Sequence, residues 1–338
     1  MDGHFGVLLA EFAARVRDLR VLAIEERFRA PLTVAVRGRQ GVGRGAVTAA
    51  LADSGVTVAA DAAGADVNVF VVAEALKPED RAQLRAVSRV PAATGDSVTP
   101  GATMVVLNKA DLAGADPAGP LACAERRAVE FAATVGVPVV PMIAPLATVG
   151  VDDGEIAAMR ALIGTPVDIT STDAFVGSAH RLPAELRRRL LDKLDRFGLA
   201  HALLALCGGA TRATVQRQLR ELSQVDRVLE QLIAVSAPAR YRKVRAVLSE
   251  LRGLAAQRGG AGIEEFLVAD ETAIAVMAAA VDVVEAVGLA VEPGDAQDAH
   301  LRRAAQWEAY ARGPVGVLHQ RCAKDISRGS LRLLGRMQ

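Results

Sequence analysis

Apolar residues recur at helical spacing near the N-terminus, where Phe5, Leu8, Leu9, Phe12, Val16, Leu19 and Ile24 predict one helix over 4–28. Pro31 resets the chain, and Leu32 to Val36 reads as a short apolar strand. A glycine-rich turn over 38–45 follows. Beyond it the pattern alternates: helix 46–53, strands 56–60 and 67–73, helix 78–89, strand 103–108, helix 122–135 and strand 137–143. Val67 to Val72 and Met104 to Leu107 are almost unbroken apolar runs, as strands buried on both faces of a parallel sheet require. Strands alternating with helices predict a doubly wound α/β domain over residues 30–165.

The strand pattern stops near residue 165. Leu186, Leu190, Leu194 and Phe197 step by three or four, as do Leu219, Leu222, Val225, Leu229 and Leu232. Val244, Val247, Leu248, Leu251 and Leu254 repeat the stripe, and Leu318, Cys322, Ile326 and Leu333 mark a last helix. Residues 180–338 are therefore expected to form an antiparallel helical bundle, with the N-terminal segment 1–29 packed back on it. The apolar stretch Ala273 to Val291 carries Asp282 and Glu285, which suits a bundle helix better than a membrane span.

Charge narrows the functional class. Forty Lys+Arg against 39 Asp+Glu leave a net charge of +1, without the basic excess of a dedicated nucleic-acid binder. Aromatic residues are 3% of the chain, too few for a platform on which bases stack. Cys123, Cys207 and Cys322 lie far apart and suit a reducing compartment. Charges within Met1 to Arg20 argue against a signal peptide, so the expected location is cytoplasmic, with peripheral membrane contact left open. The five histidines have no metal-ligand spacing. Arg187-Arg188-Arg189 reads as a solvated helix face, with anionic lipid as the alternative contact. Glu79 and Asp80 read as first-turn residues favoured by a helix dipole.

Two motifs carry chemistry. Gly38-Arg39-Gln40-Gly41-Val42-Gly43-Arg44-Gly45 has the glycine spacing and strand-turn-helix setting of a phosphate-binding loop. Arg44 stands where that loop has lysine, and Gly45 replaces the hydroxyl residue that would hold Mg²⁺. Gly38, Gly41, Gly43, Arg44 and Gly45 are the candidate phosphate-binding residues. After strand 103–108 comes Asn108-Lys109-Ala110-Asp111, which matches the guanine-recognition motif of GTPases. A carboxylate at 111 can accept two N–H bonds from guanine that adenine cannot supply. Asp61-Ala62-Ala63-Gly64 has the spacing of the segment that senses a γ-phosphate, and Ala144 falls where a backbone N–H would reach the guanine oxygen. Only 16 positions separate Gly45 from Asp61, leaving no room for a first switch. Gly64 runs almost directly into Val67, so the second switch is curtailed as well. Fast autonomous hydrolysis of GTP, which needs Mg²⁺ and a positioned water, is not expected.

With these motifs the chain resembles the bacterial dynamin-like GTPases of the actinobacterial, isoniazid-inducible kind. Their phosphate loop reads Gly-x-Gln-Ser-x-Gly-Lys-Ser, and Gln40 sits where the family keeps a water-positioning side chain. Leu190 to Gly198 and Trp307 to Pro314 are similar to stretches of those proteins. The resemblance implies a reduced P-loop GTPase-like sheet domain followed by a helical bundle, α/β plus all-α. It implies GTP or GDP as ligand, Gln40 and Asp61 as the catalytic candidates, and Asn108, Lys109, Asp111 and Ala144 around guanine. It further implies a paralogous dynamin-like GTPase as partner, peripheral contact with the inner membrane, and no nucleic acid. The expected function is a pseudo-GTPase that binds guanine nucleotide weakly or not at all. Two alternatives stand beside it: an active GTPase completed in trans by its partner, and a nucleotide-free adaptor built on the bundle.

Overall fold

The structure is a computed structural model that describes residues 3–337 except 62–63, 88–101, 115, 169 and 258–260. Its elements in the first half are α1 (His4–Val16), α2 (Leu19–Arg29), β1 (Val34–Gly38), α3 (Arg44–Asp53), β2 (Val67–Ala73), α4 (Pro78–Val87) and β3 (Ala102–Asn108). A 3-10 turn (Ala110–Leu112) leads to α5 (Pro120–Val135), β4 (Val139–Met142), α6 (Ala144–Ala147), α7 (Asp153–Gly164) and α8 (Thr172–Gly177). The rest is helical: α9 (Ala184–Cys207), α10 (Arg212–Ser223), α11 (Val225–Ala255), α12 (Ala261–Val268), α13 (Asp270–Glu285), α14 (Gln297–Arg312) and α15 (Val317–Gly335). The end of the expected helix 78–89 and the middle of Asp61 to Gly64 lie outside the described residues.

Two compact units divide the chain. One holds residues 34–87 and 103–232; the other gathers the N-terminal residues up to Thr33 and those from Ile233 onward.

In the first unit a four-stranded parallel sheet has the order β1-β2-β3-β4. Val34 pairs with Val67 and Gly38 with Val71, while Asn108 pairs with Met142. Helices α3, α4 and α5 fall between successive strands, as parallel pairing demands. The expected strand 56–60 shrinks to one parallel bridge, Val58 to Val34, on the free edge of β1. Two hydrogen bonds hold it: Val34 N donates to Thr57 O and Ala59 N to Val34 O, both at 2.9 Å.

The sheet core extends further along the chain than periodicity suggests. Phe70, Val72, Val105 and Leu107 share one cluster with Leu190, Leu194 and Leu199 of α9 and Val215 and Leu219 of α10. The sheet-bearing unit thus runs on to 232, because α9 and α10 pack on α6, α7 and α8. Arg187 departs from the solvated face expected of it. It is buried, and its guanidinium donates to Phe175 O and, at 2.8 Å, to Ser178 O. The carbonyls at the end of a short helix thus take both terminal nitrogens of the guanidinium, while its Nε stays buried without a partner among the described residues.

In the second unit Phe5, Phe12, Tyr241, Leu251, Phe266, Trp307 and Ile326 form one core. Phe12 stacks on Phe266 at 4.3 Å between ring centroids. The predicted helix 4–28 is two helices. Arg17 turns left-handed (φ 56°), and Asp18 caps α2 by accepting from Arg20 N at 2.8 Å. An aspartate that can close on its own backbone competes with helix continuation, which apolar spacing alone does not register. Gly329 of α15 lies against Met277 of α13, where a Cβ would stand 2.5 Å from Met277 Cβ. No helix among the described residues is long and apolar enough to cross a membrane.

Candidate functional site

The glycine turn is cast by close approaches. Gly38 ends β1 at φ 140°, and a Cβ there would stand 2.3 Å from Val71 O on the neighbouring strand. Gly43 is left-handed (φ 88°) and forms the N-cap of α3. The first N–H groups of a helix have no partner within it. Among the described residues no side chain caps those of α3, so they face whatever enters the turn.

What enters is a groove of about 820 Å³. Gln40, Gly41, Gly43, Arg44, Gly45 and Thr48 line it together with Val58 to Ala60 of the edge segment and Lys109. Five sequence-predicted residues of the turn and the lysine of the second motif therefore share one space. Gly38 lies beneath it as a contact point with β2. Two cations, Arg44 and Lys109, and an uncapped helix N-terminus give the groove a positive character suited to an anion.

Asn108 is the joint between the two motifs. It is buried at the end of β3; its Nδ2 donates to Val42 O at 3.0 Å and its Oδ1 accepts from Ala144 N at 3.1 Å. One amide thus ties the glycine turn, the end of β3 and the turn after β4. Ala144 is fully buried and its N–H is engaged by Asn108.

Asp111 lies in the 3-10 turn beyond Lys109 and is half-buried. Burial pushes its carboxyl above the ordinary range, and the negative charge of Asp195 adds to the push, while a backbone hydrogen bond and Lys109 oppose it. Asp195 interrupts α9 with a strained backbone, φ 54° and ψ 177°. Asp61 follows directly on the groove-lining Ala60 and is exposed; Gly64 has φ 84°.

Asp80 has a role that its first-turn position does not reveal. It is fully buried, its Oδ1 accepts from Arg39 Nε at 2.8 Å, and its Oδ2 accepts from Lys77 N at 3.0 Å. The pair fastens the first half of the glycine turn to the start of α4. The only signal was an acidic residue shortly after a proline, which has many ordinary readings.

The donor set does not fit Mg²⁺. Magnesium demands octahedral oxygen ligands, usually one or two carboxylates with phosphates and waters. Among the described groove-lining residues there is no carboxylate; the side-chain oxygens are those of Thr48 and Gln40. Both oxygens of the nearby Asp80 are engaged. Nor does any described group of three His, Cys, Asp or Glu residues converge on a metal position elsewhere.

No protein-family model, no curated protein and no solved structure matches this chain. Its functional reading rests on the groove. A second cavity of about 380 Å³ between α9 and α10 is lined largely by apolar residues around His201, whose imidazole burial holds below its usual range.

Proposed function

We propose that the protein is a pseudo-GTPase of the dynamin-like kind, which binds guanine nucleotide weakly and acts through a partner GTPase. The phosphates would lie on Gly41, Gly43 and Arg44, and Asp111 would select guanine. The observation that carries this reading is Asn108, whose amide joins the glycine turn to the Asn-Lys-x-Asp segment. That coupling is what a site needs if one ligand is to be held by its phosphates and its base at once. The strand order supports it too. The segment preceding Asp61 lies on one side of β1 and β2, β3 and β4 on the other, so the glycine turn sits inside the sheet at the carboxyl ends of the strands. Open α/β sheets bind ligands at that end.

The loss of a hydroxyl at 45 and the shortened connection from Gly45 to Asp61 favour binding without turnover. Gln40 is exposed at the groove and Asp61 follows its edge segment, so both are positioned to be tested as catalytic candidates. Isothermal titration of the full chain with GDP and with a non-hydrolysable GTP analogue tests the proposal. Measurable binding that Asp111→Asn abolishes is the expected result. Binding that is equally strong for adenine nucleotides, or that survives the substitution, would overturn guanine recognition. No binding of any nucleotide would leave the helical unit as the working part of an adaptor.

A further inference from the structure

Building on the reading of the groove as a guanine-nucleotide site, we infer that it takes the nucleotide as a metal-free diphosphate. Arg44, Lys109 and the N-terminus of α3 do the work that Mg²⁺ does elsewhere.

The chemistry of the lining carries this. A phosphate chain entering the groove meets the Arg44 guanidinium, the Lys109 ammonium and the N–H groups of the first turn of α3. It meets no carboxylate among the described lining residues. A magnesium ion in the same groove would share it with two protein cations and with no anionic ligand among the described lining residues to offset them. Like charges brought into one groove repel. Protein cations and the ion are therefore alternatives, and the groove has invested in the cations.

The same bookkeeping of charge selects the phosphate number. A third phosphate adds negative charge that two cations and a helix terminus do not match. The 16 positions from Gly45 to Asp61 are taken up by α3 and the bridge at Val58, so no segment remains there to close on a γ-phosphate. A diphosphate extends no further than the groups that are present. Gly45 itself has nothing within 4 Å of where a Cβ would stand, so a hydroxyl at that position is sterically tolerated.

The test is titration calorimetry of the full chain with GDP and with a non-hydrolysable GTP analogue, each in excess MgCl₂ and in excess EDTA. GDP affinity is expected to be as high in EDTA as in MgCl₂, and higher than that of the triphosphate analogue in EDTA. Arg44→Ala is expected to weaken GDP binding about tenfold in both buffers, the equivalent of about 1.4 kcal/mol. Gly45→Ser with Arg44→Lys is expected to restore a gain in affinity on adding MgCl₂. Thermal unfolding of each variant confirms that it is folded. Binding seen only in MgCl₂ overturns the inference while leaving the guanine site intact. A triphosphate bound more tightly than GDP in EDTA overturns the preference for a diphosphate. Failure of every nucleotide in both buffers overturns the guanine-site reading itself, and this inference with it.

Discussion

The amide nitrogen of Asn108 lies 2.2 Å from the point where a Cβ on residue 43 would stand. A glycine chosen for its left-handed backbone is thus also chosen for its size, because the buried amide that joins the two motifs occupies the space beside it. Turn geometry and motif coupling are set at one contact.

Gly43→Ala should therefore be far more damaging than Gly41→Ala. Both place a side chain at positive φ, 88° and 86°, which costs about 1–2 kcal/mol. Residue 41 has open space around it, whereas at 43 Asn108 must also move and leave buried groups unpaired, at roughly 1–3 kcal/mol more. Urea unfolding should show a midpoint for Gly43→Ala well below that for Gly41→Ala. Equal midpoints would mean that Asn108 shifts without penalty.

The Arg39–Asp80 pair predicts strong coupling. Among the described residues, Arg39→Ala leaves a fully buried carboxylate with Lys77 N as its one remaining donor, a loss on the order of 3 kcal/mol. Replacing both residues by apolar ones removes the stranded charge, so the double variant should be more stable than the sum of the single losses. Additive losses in a double-mutant cycle would show that the pair is not a unit.

Asp111 predicts a pH dependence. Its carboxyl is held above the ordinary value of 3.8, so across the window from 3.8 upward to its folded value the folded chain binds more protons than the unfolded one. The contribution of this residue to stability then falls as pH rises through that window, and its cost is fully present at neutral pH. Asp111→Asn should raise the melting temperature at pH 7, with the gain fading as the pH approaches 3.8. A variant less stable than the parent at pH 7 would reverse the assigned sign.

Asp195 should be improvable. A non-glycine residue at φ 54°, ψ 177° carries strain of about 1–3 kcal/mol. Asp195→Gly relieves it, and by removing a neighbouring negative charge should also lower the pKa of Asp111. Part of the gain is lost with the hydrogen bond from Arg196 N to Asp195 Oδ1. Denaturant unfolding and NMR titration of the Asp111 carboxyl read the two effects separately.

Much of the sheet was legible from local pattern. The runs around Phe70 and Val106 are almost wholly apolar, so burial on both sides follows from composition, and β2 and β3 appear within a residue of their expected limits. Asn108 was legible because its motif is contiguous. The Arg39–Asp80 pair was not, since the two residues are 41 positions apart and neither is unusual where it stands. The α1–α2 break turned on one aspartate closing on its own backbone. The membership of α9 and α10 in the sheet-bearing unit was equally hidden, because a helical stripe records that a face is buried and not what buries it.

Positions 38 and 43 are fixed by contacts on other strands, while 44 is exposed and 45 has open surroundings. In evolutionary terms the mould of the loop is guarded by the stability of the fold and its reactive letters are not. Residues 44 and 45 can therefore change their chemistry without changing the shape of the turn that holds them.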